Sequence, residues 1–267
     1  MTKHSDNFVV ERSLDDSLKP VINALNRVAA VQEFALLGED KDLEFVYDDH
    51  LIKLHIPYAL HEFIQRKILH SNTFYEDGLL RRLRQMALFD ESGTYFDVGA
   101  NIGNHTVYFS KIMGSKHVTA FEPQNVAHKI LKRNVNINDL ERDVTVVKSL
   151  IGSQDGSGAL EHHFGTRNLG ATSFREADDG GVSMTSLDAY CANNGVNDLE
   201  FVKIDVEGMQ VPVFEGCKTI LGDLKPTIWV ELRDFKGEFE ETEKILAQYG
   251  YVSRQLGKHD HIFMVRG

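Results

Sequence analysis

The chain has 267 residues, 42% of them hydrophobic and 26% charged, a composition that supports a buried core and excludes intrinsic disorder. Its 29 Lys and Arg stand against 40 Asp and Glu, a formal net charge of -11 that repels phosphate polymers and disfavours a nucleic-acid partner. No apolar run approaches the roughly 18 residues of a membrane span, and Met1 to Ser13 lacks the apolar core of a secretory signal, so the chain reads as cytoplasmic.

The first predicted element is a helix capped by Ser17, with Pro20 tolerated in its first turn. Val21, Ile22, Leu25, Val28 and Ala29 fall on one side of it, which reads as a docking face. Leu43, Phe45 and Tyr47 then alternate, Asp48-Asp49 signals a turn, and Ile52, Leu54 and Ile56 alternate again, the pattern of a β-hairpin. Leu60, Phe63, Ile64 and Ile68 repeat at helical spacing. So do Leu79, Leu80, Leu83 and Met86, with Arg81, Arg82 and Arg84 on a solvated face. Residues 1–90 are expected to form an α+β appendage, serving as substrate lid or oligomer contact; a homo-oligomer stays open.

Residues 91–267 change character, because short apolar strands now alternate with helical stretches. The strands expected are Thr94 to Val98, His117 to Phe121, Val144 to Lys148, Phe201 to Asp205 and Thr227 to Leu232. Helices are expected near residues 103–113, 124–136, 186–193, 211–222 and 238–249. This alternation implies an α/β fold, a doubly wound Rossmann-like parallel sheet. A final pair, Tyr251 to Arg254 and His261 to Val265, should be antiparallel at one edge. Gly152 to Ser183, rich in Gly, Ser and Asp, is expected as a loop with one or two short strands. Cys191 and Cys217 have no Cys or His neighbour and read as free thiols.

In such a sheet the ligand lies beyond the carboxyl ends of the strands. The first strand runs into Asp97-Val98-Gly99-Ala100-Asn101-Ile102-Gly103-Asn104, the second into Phe121-Glu122-Pro123, and the third into Lys148-Ser149. The fourth ends in Lys203-Ile204-Asp205-Val206-Glu207-Gly208 and the fifth in Val230-Glu231. Gly99 and Gly103 permit a tight turn and close approach of a ligand to backbone, and Glu122 stands where a carboxylate accepts ribose hydroxyls. The middle glycine of a dinucleotide fingerprint is replaced by Asn101, and Asp97 would repel a pyrophosphate and attract a cation. A nucleoside with a cationic tail, S-adenosyl-L-methionine, fits this better than NAD.

These segments, with Phe74-Tyr75-Glu76 before the first strand and Thr185-Ser186-Leu187-Asp188 before the fourth, resemble the FkbM family of S-adenosylmethionine-dependent methyltransferases. The resemblance covers residues 74 to 232. It implies a seven-stranded, mostly parallel sheet in the order 3-2-1-4-5-7-6, and O-methylation of a small hydroxylated metabolite or sugar. The cofactor site then comprises Tyr75, Glu76, Asp97, Gly99, Ala100, Asn101, Gly103, Asn104, Glu122, Pro123, Ser149 and Asp205. Catalysis falls to Asp205 for orientation and Glu231 as base, with His105 in reserve. No metal is expected, since turn carboxylates more often serve the cofactor. A non-catalytic nucleoside-binding or assembly protein of the same fold is the alternative.

Overall fold

The structure, a computed structural model, describes residues 5–162, 165–233 and 237–265. Helix α1 (Ser5–Leu36) is longer than expected: it runs straight through Ser17 and carries Pro20 inside it. The apolar repeat already reaches back to Leu14, and Glu11 and Arg12 before it are good helix formers that extend the element backwards.

The hairpin β1 (Asp42–Tyr47) and β2 (His50–His55) pairs Tyr47 with His50. Asp48 and Asp49, at φ 45° and 66°, supply the two left-handed residues that a tight hairpin turn needs. Helices α2 (Phe63–Ser71) and α3 (Asp77–Met86) follow. Phe74, between them, packs edge-on against Phe45, Tyr47 and Tyr108 with ring centroids 5.2 to 5.3 Å apart. The appendage thus shares one continuous core with the body rather than closing a core of its own.

The body begins with β3 (Thr94–Val98), α4 (Asn104–Lys111), β4 (His117–Phe121), α5 (Asn125–Asn136) and β5 (Val144–Val147). Four short strands come next: β6 (Leu150–Ile151), β7 (Gly156–His162), β8 (Ser173–Glu176) and β9 (Val182–Thr185). The chain closes with α6 (Leu187–Asn194), β10 (Leu199–Ile204), α7 (Gln210–Glu215), β11 (Thr227–Glu231), α8 (Glu238–Ala247), β12 (Tyr251–Gln255) and β13 (Asp260–Val265). The main sheet has seven strands in the order β5-β4-β3-β10-β11-β13-β12, with β13 antiparallel to both neighbours. In units of this sheet that is 3-2-1-4-5-7-6, as the resemblance implied. Val107 and Ile130 of α4 and α5 cover one face; Leu187, Val213 and Leu246 of α6 to α8 cover the other.

Two further expectations change. The Gly152 to Ser183 segment, expected as a loop with one or two short strands, carries most of a second, four-stranded sheet, β6-β9-β7-β8, whose small apolar face is Leu150, Phe174, Val182 and Met184 packed with Met209. So few apolar residues give no readable alternation. The helix expected over 211–222 stops at Glu215, and a separate π turn follows over Ile220–Leu224. Gly216 ends the first, and the Asp188 carboxylate starts the second by accepting the N–H groups of Thr219 (2.8 Å) and Ile220 (3.0 Å).

Candidate active site

Strand order reverses between β3 and β10, and a cleft of about 1010 Å³, including its open mouth, lies beyond their carboxyl ends. Its floor is the turn after β3. Gly99 and Ala100 both donate N–H groups to the Phe121 carbonyl, at 3.1 and 3.0 Å, so the turn is pinned to the end of β4. Gly99 has φ +76°, and a Cβ there would meet the Asp205 carbonyl oxygen at 1.9 Å. The glycine is demanded by the close passage of the β10 end, a packing role beyond the ligand approach expected from sequence.

Glu122, at the end of β4, is buried and lines the cleft. One carboxylate oxygen accepts from Asn101 N–H (2.8 Å) and the other from Gln124 N–H (2.7 Å), which fixes the carboxylate plane. Burial pushes its pKa up to about 7, against those two hydrogen bonds and Lys203. Asn101 Oδ1 and the Thr172 hydroxyl, both at the cleft, are buried without a hydrogen-bond partner.

A charged cluster occupies the other half. Lys203 and Asp97 are cross-strand neighbours in β10 and β3, both buried. The Lys203 ammonium lies 3.3 Å from Asp97 Oδ1 and 3.4 Å from Asp205 Oδ2, and donates to the Gly99 carbonyl at 3.4 Å. Burial opposes its charge, but Asp205, Asp97 and Glu76 outweigh that and raise its pKa. Asp97 Oδ2 accepts from the Thr106 hydroxyl at 2.6 Å. Asp97 therefore attracts a cation, as its position suggested, but the cation is the chain's own lysine, and the residue does not line the cleft.

Asp205 and Glu231 both open to the cleft, and each carboxyl feels the charge of the other. Burial raises the pKa of both carboxyls. For Asp205 the ammonium of Lys203 wins and holds it below the ordinary value; for Glu231 the Asp205 charge adds to burial and pushes it up to about 8. Arg233 contacts Glu231 and Glu207, each at 3.3 Å, at the mouth.

The appendage supplies one wall. Tyr75 and Glu76, with Phe63 and Ile64 of α2, line the cleft. Asn104 holds Tyr75 by its backbone, accepting its N–H (2.9 Å) and donating to its carbonyl (3.0 Å). The loop from Asn168 to Thr172 forms the roof and is tied to α2 by Glu62, which is buried and accepts from Gln65 N–H (2.7 Å) and Leu169 N–H (3.3 Å).

Of the residues expected at the site, Tyr75, Glu76, Gly99, Asn101, Glu122, Pro123, Ser149, Asp205 and Glu231 line the cleft. Asp97, Ala100, Gly103, Asn104 and His105 sit behind it. His105 faces Glu76 at 3.4 Å and packs against Trp229, so it reaches the cleft only through Glu76. Sequence reasoning passed over Lys203, Arg233 and the roof. The signal for Lys203 was present: a lysine flanked by Val202 and Ile204 in a central strand is buried and needs a partner.

A doubly wound sheet of this order, with a carboxylate-lined cleft at its switch point, defines a class I methyltransferase fold. Residues 97–253 match the model of the methyltransferase FkbM domain. The chain belongs to the FkbM methyltransferase family, and it is a methyltransferase. It is 21% identical over 226 residues to Methyltransferase 1 of Beauveria bassiana, covering 77% of this chain and 85% of that protein. It is 23% identical over 186 residues to Methyltransferase sdnD of Sordaria araneosa, covering 58% and 72%. Among solved structures, methyltransferase FkbM from Methylobacillus flagellatus aligns with a TM-score of 0.50 at 14% identity. The alignment covers 89% of this chain but only 59% of that longer one.

Proposed function

We propose that the protein transfers a methyl group from S-adenosyl-L-methionine to a hydroxyl of a small metabolite or sugar. The observation that carries this reading is the Asp205–Glu231 pair: an ionised carboxylate beside a carboxyl poised near neutrality, both open to the cleft at the strand-order reversal. The donor set suits this cofactor. Glu122 is oriented to accept vicinal ribose hydroxyls, Asn101 Oδ1 is a free acceptor for an ammonium, and Asp205 and Glu76 provide the negative field a sulfonium needs.

When bound, the cofactor supplies a methyl on a good leaving group, so the protein's task is alignment of the acceptor oxygen and removal of its proton. Asp205, held ionised by Lys203, orients both. Glu231, once ionised, takes the hydroxyl proton, a step that contributes roughly 10² to 10⁴ in rate. Tyr75 and the Asn168 to Thr172 roof limit water at the cleft.

The test is cofactor titration by calorimetry, followed by incubation with panels of alcohols, sugars, amines and carboxylates, with S-adenosylhomocysteine release as the readout and product NMR to locate the methyl. O-methyl products formed by the wild type and lost in Glu231→Gln support the proposal. Failure to bind S-adenosylmethionine, or methyl groups found only on nitrogen, carboxylate or carbon, overturns it.

A further inference from the structure

Among the described residues, Ala30 of helix α1 is buried, Phe34 and the following Leu37 pack against the core, and the helix meets α2. Residues 18–22 and 24–29 are exposed throughout. Leu18, Val21, Ile22, Leu25, Val28 and Val31 are aliphatic and each 46 to 64% exposed, whereas helices hold in water chiefly by burying such a face. Contiguous aliphatic patches of several hundred Å² on a protein surface often mark interaction sites.

The sequence of the stripe says what covers it. Leu14, Leu18, Val21, Leu25 and Val28 follow one another at alternating steps of four and three, continued by Gln32 and Ala35. This is the seam of a helix that packs along another helix, and Gln32 is the single polar residue of the kind that fixes register. Ile22, Ala24, Ala29 and Val31 widen the seam on both sides, while Asn26, Arg27 and Glu33 lie away from it. A lipid surface fits poorly, because α1 carries three basic residues (Arg12, Lys19, Arg27) and five acidic ones (Asp6, Glu11, Asp15, Asp16, Glu33), where an interfacial helix wants a basic polar face. Laying the stripe on its own copy removes on the order of 1,200 Å² in total, the lower edge of what stable interfaces bury. A self-complementary stripe satisfies a two-fold axis with no second component.

We propose that α1 is the dimerisation element of this protein, pairing with α1 of a second copy along the Leu18 to Val31 stripe. Among the described residues, none of α1 lines the cleft. The experiment is sedimentation velocity and light scattering of the full chain, alone and as Leu25→Glu/Val28→Glu. Both positions are exposed within one copy, so the variant should fold, as near-ultraviolet circular dichroism would show. The wild type is expected at twice 30.2 kDa and the variant at 30.2 kDa, with the dimer constant weakened about 100-fold or more. In parallel, Leu25→Cys should form a disulfide-linked dimer on mild oxidation, against a low background because Cys191 and Cys217 are buried. A monomeric wild type overturns the proposal, as does a dimer that survives the double substitution. Recovery of a monomer that instead floats with phosphatidylcholine/phosphatidylserine vesicles, or that requires a different protein to cover the stripe, overturns it equally.

Discussion

Replacing Lys203 with methionine keeps the length and apolar stem of the side chain and removes only the ammonium. Three acceptors lose their partner: Asp97 Oδ1 at 3.3 Å, Asp205 Oδ2 at 3.4 Å and the Gly99 carbonyl at 3.4 Å. They do not lose equally. The Asp205 side chain is 38% exposed and rehydrates from the cleft, so its share is small, whereas Asp97 is fully buried and its Oδ1 has no hydrogen bond to fall back on. Breaking a buried pair from one side costs about 3 to 5 kcal/mol, because an uncompensated charge stays inside. For a chain of this size the melting temperature should fall by roughly 5 to 9 °C. Urea unfolding followed by the fluorescence of the single tryptophan, Trp229, which is adjacent to Lys203 in the sheet, measures the loss directly. Adding Asp97→Asn to Lys203→Met removes the stranded charge and should recover a large part of the loss. A Lys203→Met variant less than about 1 kcal/mol below wild type, or a double variant whose cost is the sum of the singles, would refute the buried-pair account.

Glu122→Gln should weaken S-adenosylhomocysteine binding roughly 10- to 150-fold by calorimetry, the scale of hydrogen bonds to a charged group. Because ribose hydroxyls donate to the ionised form, and burial pushes Glu122 up to about 7, wild-type affinity should rise as pH increases through that value and the Gln variant should lose the dependence. Glu231 must be ionised to take a proton, so kcat should climb with pH and level off above about 8; a profile flat across this range, or one retained in Glu231→Gln, would remove it from the chemistry. Gly99→Ala should unfold or misfold the chain rather than merely block the cofactor, since its Cβ meets the Asp205 carbonyl at 1.9 Å; a variant with wild-type circular dichroism and melting temperature would contradict this.

The order of strands and helices from Thr94 onwards was legible because each buried strand is a short apolar run with a polar residue at its carboxyl end, and that punctuation survives in one dimension. For the same reason Glu122, Asp205 and Glu231 could be placed at one edge from sequence: topology alone brings strand ends together. The hairpin was equally plain, since Leu43 to Tyr47 and Ile52 to Ile56 alternate around Asp48-Asp49. What sequence could not supply was the direction in which each polar group faces. Asp97 ends a central strand as Asp205 does, yet one is enclosed by Lys203 and Thr106 while the other opens to the cleft. That difference is set by cross-strand register, which pairs Lys203 with Asp97. The roof from Asn168 to Thr172 was likewise invisible, because it is held by Glu62, more than a hundred residues away, and local composition carries no trace of such a tie. The apolar stripe of α1 shows the converse. Its periodicity announced a buried face, and tertiary structure leaves that face uncovered within one chain, because burial depends on how many surfaces the fold has to offer.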